Sequence, residues 1–274
     1  MALKIFYITT EISPFASTSS LGNFSVKVPL SLQGKGHDIR TMLPKYGFVS
    51  ERKYILREVI RLREIPFIYN EEEIITSAKS AFIPKTRVQV YFLEDINWFK
   101  PLTNLLYKSK NGRILSDNDM RYSFYGSAAL ATLPHLFWSP DIMLGCGWQT
   151  SFIPIVYQQL YRDKEFYQGI KTVHVVHSLG DYDVFSRKSF DLAGVKLPDF
   201  FKDDHVNCHE AASFFADQVI VFDTPNNKVS EDLLKLEGVK ENKDKVTVIE
   251  WDDASPDYDA VAIDLEATLQ KLSD

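Results

Sequence analysis

The sequence predicts a single doubly wound α/β domain built on a mostly parallel sheet. Three observations carry that reading. Short apolar, β-rich runs alternate with helix-like segments along the whole chain. The first of these segments form a strand-helix-strand unit, whose right-handed crossover places its strands in parallel. No internal repeat or low-complexity linker divides the chain.

The elements follow in order. LKIFYIT, from Leu3 to Thr9, is a compact apolar run and reads as a buried strand. A loop runs to Asn23, and Phe24 to Gln33 forms a helix stopped by the glycines of QGKGHD. DIRTML, from Asp38 to Leu43, is the next strand and ends at Pro44. Ser50 to Ile83 reads as an insertion of short strands, and RVQVYFL, from Arg87 to Leu93, as a strand of the sheet. Asp119 to Leu136 reads as a long helix and Asp141 to Leu144 as a short buried strand. Thr150 to Arg162 reads as an amphipathic helix, and Lys171 to Val176 as a strand. Asn207 to Ala216 is helical, Gln218 to Phe222 a strand, Lys228 to Glu237 a helix and Val246 to Trp251 a last strand. The domain is expected over residues 1–250, and residues 251–274 form an acidic tail with a closing helix from Ala260 to Leu272.

Composition narrows the function classes. A net charge of −6 gives no basic footprint for nucleic acid. No apolar run approaches a membrane span, and MALKIFYITTEISPF alternates like a strand instead of forming a signal peptide. With only Cys146 and Cys208 there is no disulfide framework, which points to a cytoplasmic setting.

In a doubly wound sheet a ligand lies beyond the carboxyl ends of the strands, at a switch point. The loop after the first strand holds Glu11 and STSSLG, from Ser17 to Gly22. A helix amino terminus suits an anion. The loop lacks paired glycines and an internal cation, however, so residue chemistry alone favours a capped turn. In GCGWQT, Trp148 and Gln149 offer a plate and an amide for a sugar, or else a packed core tryptophan. Cys146 reads as an inert buried thiol. His174 and His177 point to opposite faces of a strand, which argues against a shared metal. His177 stands at the carboxyl end, where functional groups collect, whereas His174 is structural. Asp181 and Asp183 read as solvated loop acids, and the adjacent Cys208 and His209 diverge and hold no metal.

Several stretches together resemble the bacterial glycogen and plant starch synthases. EISPFASTSSLGN resembles the family's Glu, Pro-Phe and Lys-x-Gly-Gly-Leu-Gly-Asp loop; GHDIRTMLPKYG resembles GHDVR…LPRYG; YFLE resembles its Tyr-Phe-Leu-Asp strand end. SDNDMRYSFYGSAAL, PDIMLGCGWQT and KTVHVVHSLG match three further family segments, in the same order between Lys4 and Glu231. The resemblance implies a Rossmann-like domain, the amino-terminal half of a GT-B glucosyltransferase. It also implies retaining transfer of glucose from ADP-glucose or UDP-glucose to an α-1,4-glucan, with no metal ion and no cofactor. By that resemblance His177 is the catalytic position, and Glu11, Trp148, Gln149 and Ser178 are substrate-binding positions.

The departures are specific. Ser17 stands where the family has its phosphate-meeting lysine, Ser19 and Ser20 replace both glycines, and Asn23 replaces the aspartate; only Leu21 and Gly22 keep the loop. Cys146 and Gly147 replace a histidine and an aspartate, and Ser178 an asparagine. Losing a charge-assisted phosphate contact costs about 1.5–3 kcal/mol. With one half of the two-domain cleft, the chain is expected to transfer glucose poorly alone. The alternative is a glucan- or nucleotide-sugar-binding regulatory module that docks on another protein. Expected partners are a glucan or nucleotide sugar, a second copy or a separate partner chain, and not nucleic acid or a membrane.

Overall fold

A computed structural model describes residues 1–102 and 106–273, so Asp274 at the end of the expected tail lies outside the described residues. Four strands form its centre: β1 (Lys4–Ile8), β2 (Asp38–Pro44), and, past the insertion strands β3 (Arg57–Glu58), β4 (Ile65–Tyr69) and β5 (Glu72–Phe82), β6 (Gln89–Glu94) and β7 (Ile142–Cys146). β8 (Lys171–Val176), the small β9 (Val184–Ser186) and β10 (His205–Asn207), then β11 (Gln218–Asp223) and β12 (Val246–Glu250) complete the set. The ten-stranded sheet runs β12-β11-β8-β7-β1-β2-β6-β5-β3, with β4 paired to β5. From β12 to β6 every neighbour is parallel, and β5 turns antiparallel to β6. The chain leaves β1 towards β2 and later returns on its other side as β7. The switch point therefore lies between β1 and β7, as the sequence predicts for a doubly wound sheet.

Helices occupy both faces. They are α1 (Leu21–Gly34), α2 (Glu51–Tyr54), α3 (Asn118–Thr132), α4 (Phe152–Val156), α5 (Arg187–Leu192), α6 (Cys208–Phe215), α7 (Val229–Leu233), α8 (Glu237–Lys240) and α9 (Tyr258–Ser273). Alternation along β1 sorts the two cores: Phe6 and Ile8 join α3 and α4, whereas Ile5 and Tyr7 join α1 and α9. Parallel strands covered on both sides are apolar throughout, which is why their sequences read as short continuous runs. The closing helix is part of this layer. Val261, Leu265 and Leu269 of α9 pack with Val28 and Leu32 of α1, and Glu266 pairs with Lys35 at 3.2 Å and His37 at 2.9 Å.

Two expectations need correction. Thr150 to Arg162 is not one amphipathic helix: α4 is buried on every side and passes into a π-helical turn, Tyr157–Tyr161. The Tyr157 hydroxyl reaches the carbonyls of Tyr167 and Ile170, which fixes the chain beyond that turn. Lys228 to Glu237 is likewise broken into α7 and α8, because Leu236 is extended.

Close packing of α3 on α4 depends on Gly126. A Cβ there would lie 2.6 Å from the Phe152 Cβ. Gly126→Ala is expected to destabilise the domain by about 1–3 kcal/mol through overpacking, read as a lower urea midpoint with an unchanged slope.

Candidate functional site

The loops after β1, β7 and β8 converge at the carboxyl ends of the strands. In the first, Glu11 is 1% exposed and receives four hydrogen bonds from the loop. The backbone N–H and the hydroxyl of Thr18 donate to it, as do the N–H and hydroxyl of Ser19, the last three at 2.9–3.0 Å. Three further donors at the start of α1 are also spent within the loop: Leu21 N–H on the Ser19 hydroxyl, Gly22 N–H on the Ser19 carbonyl and Asn23 N–H on the Ser20 carbonyl. Ser20 itself makes no side-chain cap. STSSLG is therefore neither an open phosphate cradle nor a simply capped turn, but a loop folded onto an internal carboxylate. Gly22 permits this path, since a Cβ there would meet the Ser17 hydroxyl oxygen. Ser17, Ser19, Ser20 and Asn23 are exposed and Leu21 is half-buried. No loop residue carries positive charge.

The loop after β7 meets the first loop at the switch point. Gly147 has φ +86°, a backbone that favours glycine, and lies against Gln149 and Leu21. Trp148 is 4% exposed. Tyr122 and Tyr107 meet its ring edge-on, with centroids at 5.1 Å and 5.4 Å, and Tyr182 lies tilted beside it at 5.4 Å. In this arrangement the tryptophan forms the floor of an aromatic cluster, and Tyr182 stands nearer the surface. Gln149 is also buried. Burial pushes the Cys146 thiol up to about 12, in keeping with its reading as inert.

Beyond β8, His177 sits in an aromatic box. Its ring stacks on Phe222 at 4.8 Å and meets Phe24 edge-on at 4.6 Å, with Trp251 at 6.2 Å. Its Nε2 is buried without a hydrogen-bond partner among the described residues, and burial lowers its pKa to about 4. Ser178 accepts a hydrogen bond from the Tyr182 hydroxyl at 2.8 Å. Next to these residues lies a groove of about 310 Å³ edged by Asp119, Asp181, Tyr182, Lys188 and His205.

The structure thus brings Glu11 and the serine loop together, sets Gln149 beside Gly147 and Leu21, and joins Trp148 to Ser178 through Tyr182. His177 stands apart, facing the α1 side. Three features escaped the sequence reading. Asp183, expected in solvent, is 2% exposed and accepts the Gly180 N–H, and burial raises its pKa. His174 and His209, from distant segments, form a buried pair. Tyr182 supplies the aromatic wall of the groove. The pattern of DYDVF gives no signal for Asp183, since Asp183 and Phe185 are buried while Val184 is exposed, and no local pattern announces the histidine pair.

The fold is that of a mostly parallel, doubly wound α/β domain of the GT-B type. The sequence matches the family model of the starch synthase catalytic domain over residues 4–233, and the chain belongs to the glycogen and starch synthase family. It is 35% identical over 188 residues to a glycogen synthase of Chlorobium luteolum, covering 69% of this chain and 38% of that protein. A glycogen synthase of Chlorobium phaeovibrioides is 34% identical over 176 residues, covering 64% of this chain and 36% of the relative. The chain therefore spans less than half the length of these relatives. The catalytic domain of starch synthase IV from Arabidopsis thaliana, solved bound to ADP and acarbose, shares the fold with a TM-score of 0.73 at 22% identity, over 91% of this chain and 52% of that one.

Proposed function

We propose that this chain is a degenerate glucan-synthase domain that holds α-1,4-glucan but does not transfer glucose efficiently alone. The observation that carries this is the state of the serine loop. Transfer from a nucleotide sugar needs a leaving diphosphate stabilised by preorganised donors and positive charge. Here the donors of Thr18 and Ser19 are committed to the Glu11 carboxylate, and Ser17 supplies no cation. The local charge is negative where a diphosphate would have to sit. His177 adds nothing in its present setting, because its free nitrogen is enclosed by Phe24, Phe222 and Trp251.

Glucan binding asks less of the loop. The groove beside Tyr182 combines an aromatic wall with carboxylates and a lysine, the mixture that grips hydroxyl-rich rings. A structural neighbour, solved bound to ADP and acarbose, is in keeping with a carbohydrate ligand for this chain. Calorimetric titration is expected to show maltoheptaose binding that Tyr182→Ala weakens by about tenfold, the order of one lost stacking contact. ADP-glucose is expected to bind at least about tenfold more weakly than maltoheptaose, the missing cation alone accounting for such a factor. Tight ADP-glucose binding with no response to maltoheptaose would overturn the proposal.

A further inference from the structure

We infer that His174 and His209 form an acid-releasable latch between β8 and α6, holding in place the segment that carries Tyr182. Both histidines are 0% exposed, and His174 Nε2 lies 2.8 Å from His209 Nδ1. Among the described residues, the outer nitrogens, His174 Nδ1 and His209 Nε2, are buried without hydrogen-bond partners, as are the hydroxyls of Ser151, ahead of α4, and Ser213, one turn along α6. A neutral pair satisfies the inner contact, one ring donating and the other accepting. The first proton from solvent adds to the accepting ring's partner at its outer nitrogen and leaves that bond intact. The second must take the inner lone pair. Both inner nitrogens then carry hydrogens and both rings are charged, so the contact turns repulsive.

Among the described residues, none offers the pair a counter-charge. His177 lies on the other face of β8 and would repel a proton on the pair. Cys208 turns its thiol to the Trp148 carbonyl at 3.7 Å. The Asp183 carboxylate is engaged by the Gly180 N–H, and Glu210 accepts the Gly238 N–H on α8. Asp217 is bound to Thr172, α4 carries no charged residue, and Lys171 stands at the far end of β8. Burial first, and the neighbouring histidines with it, hold both imidazoles below their ordinary range, against a smaller opposing pull on His209 from the Ser178 backbone.

The latch has something to release. Cys208, beside His209, donates its N–H to the Asp183 carbonyl at 2.7 Å and its thiol to Trp148, and β10, just before it, pairs with β9. When α6 loosens from β8, the segment 178–186 and the Trp148–Tyr182 contact lose their anchor together.

The test is an acid titration of the whole chain by NMR, following the imidazole resonances and the amide protection of residues 178–186. His174 and His209 are expected to protonate below the ordinary histidine range, and protection is expected to be lost when the second of the two rings takes its proton. In His174→Phe/His209→Leu, which replaces both partners by apolar groups, protection is expected to persist to at least about one pH unit lower. Protonation near the ordinary histidine value, protection that survives protonation of both rings in the wild-type chain, or release at the same pH in a folded double variant would each overturn the latch. Should the double variant not fold, the wild-type titration decides alone.

Discussion

Replacing Glu11 by alanine is expected to destabilise the domain by about 3 kcal/mol and to open the serine loop to proteases. The reasoning rests on hydrogen bonds to a charge. Four donors, two of them backbone N–H groups that no other group reaches, converge on one buried carboxylate. Each charge-assisted bond contributes about 1.5–3 kcal/mol, and relaxation of exposed serines towards water recovers part of the total. Glu11→Gln is expected to cost more than half as much as the alanine change, because its amide nitrogen must face donors that need an acceptor. Urea unfolding of the three proteins checks the order. Equal stability of all three would mean that the carboxylate does not organise the loop. The same alanine variant should not recover diphosphate binding, since Ser17 still supplies no cation.

His177→Phe is expected to preserve stability at pH 7.5 and to add about 2 kcal/mol at pH 4.5. The ring keeps its stacking on Phe222, while the orphaned Nε2 disappears. The sign follows from linkage. Burial lowers the pKa of His177 from 6.5 to about 4, so the unfolded state binds more protons between those values. Stability is complete above pH 6.5 and is lost as the pH falls towards 4; a shift of this size contributes about 2 kcal/mol between neutral pH and pH 4.5. The variant removes that loss. Thermal melts at both pH values measure it, and a variant destabilised at both would show that His177 makes a polar contact of structural weight. His209, lowered to about 3, adds acid lability of the same sign.

Much of the sheet was legible because its strands are buried on both faces. LKIFYIT, KTVHVV and QVIVF read as continuous apolar runs, and the glycines after the first helix punctuate the β-α-β unit. Less legible were segments whose shape is set by tertiary contacts. FIPIVYQQLY carries an apolar face at helical spacing, yet burial of the whole of α4 and the anchoring of Tyr157 bend it through a π turn. The candidate site was read to the same depth. Glu11, the serine loop, Trp148, Gln149 and His177 stand at strand ends where the topology places them. What local sequence could not give was the direction of their side chains. Glu11 turns onto its own loop, Trp148 turns inward, and His177 enters a box partly built by Trp251, far along the chain. His174 and His209 meet across 35 residues with no shared period to announce them.

The central claim is that this domain holds glucan and does not, alone, transfer glucose efficiently. Incubation with radiolabelled ADP-glucose, and separately UDP-glucose, plus maltoheptaose measures it directly. Incorporation of label indistinguishable from a protein-free control, at a maltoheptaose concentration that saturates binding, is the expected result. Sustained incorporation that His177→Ala abolishes would contradict it.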